Sequence, residues 1–249
     1  MHLRRLTVIM VALTLALSVL SIGYAAPSKP FTLKPGGKAT ISFEAFCVNF
    51  GKLFPTGVTV PNGTIAPDPV RAALEYAQAK GLTADPKQAL QVEYAIWQLG
   101  GTTNSPKGEA LAQDVIAAAS AAKVTDPQGL SILEAAKTNQ ISMTLDLWEP
   151  IGDKQQITAT ASDHFYGRGQ LTVTNISKQS LTLFMPTGTI FPPTSNAQNM
   201  AAIQTNVVVT DPALPVTAGE GNSTTWLLIL SAAILLASGW VLRQRHAIR

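Results

Sequence analysis

The sequence predicts an α+β fold: a mixed helix/strand module, then a small antiparallel β-sandwich, closed by a single C-terminal transmembrane helix. Three observations predict it. A side-chain acceptor followed by proline recurs at Asp68-Pro69, Asp85-Pro86, Ser105-Pro106 and Asp126-Pro127, the pattern of helix starts. Apolar and polar residues alternate over 40–47 and again over 141–147, the period of a half-buried strand. Residues 226–242 carry no charge, and Arg243, Arg245 and Arg249 follow them.

The elements follow in order. Arg4 and Arg5 precede the uncharged stretch 6–22, and Gly23 and Ala25 stand at the small-residue positions before Ala26. Residues 1–25 therefore read as a cleavable signal peptide, with an uncleaved N-terminal membrane helix as the alternative. The Pro/Gly/Lys-rich stretch 27–38 reads as an extended entry. A strand over 40–47 places Ile41, Phe43, Ala45 and Cys47 on one face, so Cys47 is expected to point inward. Helices are expected over 69–80, 86–99, 106–122 and 127–138, with Gly81 and Gly100 at the caps of the first two. From Ile141 the period changes to two, and strands are expected over 141–149, 156–161, 169–175, 180–185 and 202–210. Asn175-Ile176-Ser177-Lys178 reads as a hairpin connection, and the stretch from Pro192 to Asn199 as a surface loop. The expected organisation is an α+β module over 27–140, a β-sandwich-like module over 141–210 and a linker over 211–225. A transmembrane helix over 226–242 and a cytoplasmic basic tail over 243–249 complete it.

Charge narrows the function. The terminal segments hold Arg4, Arg5 and the three tail arginines, leaving 13 Lys+Arg against 15 Asp+Glu, a net of −2. The basic isoelectric point is a matter of topology and predicts no nucleic-acid partner. A basic tail beyond an apolar span stays in the cytoplasm, so residues 26–225 are expected outside, with the membrane as a partner. One cysteine in an exported chain excludes an internal disulfide, and one histidine, His164, between the two ends excludes a Cys/His metal site. No cofactor is expected. An enzyme built on Cys47 with His164 and Asp163 is conceivable, but no nucleophile elbow, phosphate loop or paired acidic motif supports it, and none is predicted.

Ahead of the anchor stand Leu214, Pro215, Val216, Thr217 and Ala218. Together with the hydrophobic span and basic tail this resembles the LPxTG cell-wall sorting signal of Gram-positive-type surface proteins. The resemblance implies cleavage after Thr217 by a sortase and attachment to the cell wall. Ala218 departs from the usual glycine. A simple single-pass membrane protein is the alternative.

Phe46-Cys47-Val48-Asn49, followed after a helix by Val92-Glu93-Tyr94-Ala95-Ile96-Trp97, resembles the thioester domain of Gram-positive surface adhesins over about residues 38–135. In that family a Cys is joined to a Gln two residues before the Ala-Ile-Trp segment, and the thioester captures surface amines. The resemblance implies a thioester-like site of Cys47 and Glu93, but with Gln replaced by Glu93. Gln91 and Gln98 project about 200° and 140° away from it on a helix. Glu93 follows Ala89 by four residues and precedes Trp97 by four, which sets a carboxyl on an apolar face. Cys47 and Glu93 form either a residual site or a small buried thiol beside a carboxyl that snorkels or finds a backbone donor. Trp97, Trp148, Phe165 and Tyr166 are candidates for lining a ligand site, or for the core. The expected function is a cell-surface-anchored adhesion or interaction protein that meets surface ligands of another cell non-covalently. The alternative is a single-pass membrane protein with a purely structural or ligand-binding ectodomain.

Overall fold

The computed structural model describes residues 28–151 and 165–212, all within one compact unit. Along the chain come β1 (Phe31–Leu33), β2 (Lys38–Cys47), α1 (Asp68–Lys80), α2 (Pro86–Leu99), α3 (Ala110–Ala121) and β3 (Leu130–Ser131). Then follow α4 (Ile132–Lys137), β4 (Ile141–Ile151), β5 (Tyr166–Asn175), β6 (Leu181–Phe184), β7 (Thr189–Phe191) and β8 (Met200–Thr210). The fold is mixed α+β with a curled antiparallel sheet of order β4-β5-β2-β8-β7. A three-stranded sheet, β1-β6-β3, accompanies it, with β6 antiparallel to β1 and parallel to β3.

β2 takes the central place. Ala39, Ile41, Phe43, Ala45 and Cys47 are all buried, a face that α2 packs against, and both edges of the strand are paired, by β5 and by β8. Ile41 stands opposite Leu171 of β5 and Val207 of β8. The expected division at residue 140 is thereby corrected: a strand from before it forms the middle of the sheet built from after it. Gly169 of β5 makes room for this packing. A Cβ there would lie 2.4 Å from Cζ of Phe43, whose ring stacks on Phe191 with centroids 4.3 Å apart.

Helices α1 and α2 match their expected spans. Gly81 takes the left-handed conformation (φ 66°) that ends α1, and Asp85 caps α2 by accepting from the Lys87 and Gln88 amides at 2.7 and 3.2 Å. Asp68 is not a cap. Pro67 occupies that position, and Asp68 pairs with Arg71 one turn on. The next two helices start later than Ser105-Pro106 and Asp126-Pro127 predict. Gly108 and Gly129 have φ of 68° and 134°, which a continuing right-handed helix does not admit. Asp126 instead binds Arg71, and Ser131 caps α4 by accepting from the Glu134 amide at 3.1 Å. The expected hairpin at 175–178 is also corrected. β5 and β6 belong to different sheets, and Asn175 turns the chain by accepting from the Ser177 amide while donating to Leu33 O and Gln179 O.

Among the described residues no helix is long and apolar enough to cross a membrane. The expected signal peptide, the strand at 156–161 and the span at 226–242 lie outside the described residues. So do Leu214, Pro215, Val216, Thr217 and Ala218, and the pair Asp163 and His164.

Candidate functional site

Cys47 is the last residue of β2 and Glu93 lies in the second turn of α2, and both are 0% exposed. The strand period turns Cys47 inward. Its amide donates to Phe165 O at 3.2 Å, and its thiol donates to the Met200 thioether at 3.6 Å. The helix period buries Glu93 along with Ala89, Val92, Ile96 and Trp97, so a carboxyl enters an apolar layer as the spacing predicts. The structure brings the two together.

Electrostatics make the contact visible. Burial pushes the Glu93 carboxyl well above its ordinary value; the Cys47 amide and the Trp97 indole, both near it, only partly offset the shift. Neither donor reaches hydrogen-bonding geometry: both Glu93 oxygens and Trp97 Nε1 lack a hydrogen-bond partner. The Cys47 thiol is likewise pushed well up, first by burial and then by the adjacent Glu93 charge. An unpartnered carboxylate in such surroundings is costly, and protonation is how the group avoids the cost.

The neighbouring glutamines are occupied elsewhere. Gln91 Oε1 accepts from the Glu109 amide at 2.6 Å. Gln98 Nε2 donates to Pro106 O and Lys107 O at 3.2 and 3.0 Å. Both side chains hold the segment leading into α3, and the carboxyl beside the cysteine is that of Glu93.

Three of the four candidate aromatics are core. Trp97, Phe165 and Tyr166 are 0%, 1% and 1% exposed; Tyr166 stacks on Phe46 at 5.3 Å and Trp97 meets the Phe50 edge at 4.8 Å. Trp148 is half-buried, stacks on Phe54 at 5.9 Å and donates its indole N–H to Pro55 O at 3.2 Å. Its ring lies over Gly167, where a Cβ would come 2.7 Å from it.

Chemically, this is a closed thiol–carboxyl pair. A nucleophilic cysteine needs its thiolate, and burial beside a carboxyl opposes that form. The described residues contain no group of three or more His, Cys, Asp or Glu placed to hold a metal ion. Sequence reasoning missed one neighbour of this site and one separate cluster. Met200 is brought to Cys47 by the pairing of β2 with β8, a long-range register with no local signal. Arg71 and Glu75 form a second buried polar cluster, in which Arg71 donates to Thr187 O at 2.9 Å and pairs with Asp126 and Asp68.

No family model, curated protein or solved structure matches the chain.

Proposed function

We propose that the chain is a cell-surface-anchored interaction protein whose contacts with another cell's surface ligands are non-covalent, and that Cys47 and Glu93 are a thioester-like site that stays open. The observation that carries this reading is the meeting of a buried thiol and a buried carboxyl at the two positions of the resemblance. With Gln in the second position, ring closure would expel ammonia. With Glu93 it must expel water from a carboxylic acid, and hydrolysis favours the open form. The site then keeps the packing of its two elements and loses the electrophile.

The location rests on the two apolar ends with their arginines and on the sorting-like residues Leu214, Pro215, Val216, Thr217 and Ala218. In this reading the membrane, a sortase and the cell wall are the partners at the C-terminal end. Protease treatment of intact cells tests the location: the region between residues 26 and 212 is expected to be digested while cytoplasmic markers survive. Binding of the displayed chain to another cell is expected to persist in Cys47→Ala. Full protection from protease contradicts the location, and loss of binding in a folded Cys47→Ala contradicts the non-covalent mode.

A further inference from the structure

The two long flanks of the five-stranded sheet are built differently. β4, at one margin, has a register shift between Leu145 and Leu147, and it carries Asp146, Glu149 and Pro150. Bulges, charges and a missing N–H are the devices that keep a sheet edge from recruiting another strand. β8 lies next to the opposite margin. Its first part is covered: β7 pairs with Met200 to Ala202, and Gln78 Nε2 donates to Gln204 O at 2.5 Å. Beyond that point, among the described residues, no strand pairs with β8 on the side away from β2.

This second part begins at a bulge of its own, Thr205, where the pairing with β2 shifts register, but beyond it the strand carries neither of the other two devices. Residues 205–210 read Thr-Asn-Val-Val-Val-Thr, without charge or proline, and Val208 and Val209 are 56% and 42% exposed. Three consecutive β-branched residues on an edge that no described strand covers favour a further strand.

We propose that residues 206–210 of β8 pair antiparallel with the same residues of a second copy of this chain. A two-fold axis near Val208 sets Asn206 against Thr210 and Val207 against Val209, so no like charges meet. The first charge beyond the strand, Asp211, is already neutralised by Lys34 at 2.7 Å. A strand contact of this length spans about 17 Å and buries less than the roughly 1,200 Å² of a stable interface. Single contacts are therefore weak, and many in parallel hold.

Antiparallel pairing also reverses direction. The chain leaves each β8 through Pro212, so the two exits point opposite ways, as they must for copies rooted in two facing surfaces. This adhesive meaning rests on the surface location proposed above; the pairing itself does not.

Purified full-length chain tests the pairing. Cys47 is buried, so Val208→Cys introduces an accessible thiol on the edge, and Thr144→Cys on exposed β4 is the control. The Val208→Cys chain is expected to form an inter-chain disulfide about tenfold faster or more. Wild type is expected to show concentration-dependent dimer by sedimentation, and Val208→Lys, with an unchanged circular dichroism spectrum, none. Equal oxidation rates, or a wild type that stays monomeric at millimolar concentration, overturn the proposal. Cells displaying the wild type are expected to clump and those displaying Val208→Lys at equal surface amounts to remain dispersed. If the purified chain pairs but is never surface-exposed, the location fails and the pairing stands.

Discussion

The Cys47 thiol and the Glu93 carboxyl share one enclosed site, and the Glu93 charge makes ionisation of the thiol harder. Burial pushes both groups up, and the Glu93 charge adds to the shift at Cys47. Two neutral groups fit an apolar layer that two charged ones would disrupt. The consequences are readable in stability, in reactivity and in mass.

Stability should fall as pH rises, in part through Glu93. Its folded value lies above the ordinary 4.5, so the folded state holds a proton that the unfolded chain releases. The contribution is complete below about 4.5 and is lost as pH climbs toward the folded value. Glu93→Gln removes the titration. Urea denaturation from pH 4 to pH 8 should give a flatter profile for Glu93→Gln than for wild type; an unchanged profile contradicts the assignment.

Glu75 should add a second loss within a defined window. Its carboxyl is raised to about 7, chiefly by burial, with Arg71 pulling it back down. The folded protein thus loses this contribution as pH rises from 4.5 to about 7. Glu75→Gln should remove that part, and NMR titration of Glu75 should place its midpoint near 7.

Arg71 holds this cluster together. It links α1 to Thr187 O and Asp126, and pairs with Asp68 in its own helix, while its side chain is 10% exposed. Arg71→Met keeps the bulk but removes the donor to Thr187 O and the charge beside Glu75; with Asp68 and Asp126 76% and 42% exposed, it should cost about 1–2 kcal/mol at neutral pH. Its midpoint in urea measures this, and the Glu75 titration should move upward in the variant.

The contact of Gly169 with Phe43 should be unforgiving. Gly169→Ala sets a methyl group 2.4 Å from the Phe43 ring and 2.8 Å from Leu147 O. Neither can withdraw freely: the ring stacks on Phe191 and the carbonyl belongs to the adjoining strand β4. A loss of about 1–3 kcal/mol is expected from overpacking, measurable as a lowered Tm.

Local chemistry decided how far the sequence was legible. The inward Cys47 follows from a period of two in β2, and the buried Glu93 from apolar neighbours three and four residues away in α2. The late starts of α3 and α4 were hidden because the Ser105-Pro106 and Asp126-Pro127 signals are real dipeptides put to other uses. Ser105 donates to Thr102 O at 3.0 Å, and Asp126 serves Arg71. Of the β1-β6-β3 sheet only β6 showed in the pattern, as the strand expected over 180–185; β1 and β3, of three and two residues, are too short to show a period. The interleaving of β2 between β5 and β8 is a long-range register, set by which faces need cover and not by any neighbouring residue.

The mass of the intact chain tests the central claim most directly, read for wild type and for Glu93→Gln under non-denaturing handling. Wild type should show every atom of its amino acids with Cys47 free, and methylamine should not change it. Glu93→Gln should be lighter by one ammonia and should then gain one methylamine as the amine opens the thioester to a methylamide, and Cys47→Ala should prevent both. A wild type lacking one water, or a folded Glu93→Gln of full mass with a free thiol, would contradict the account.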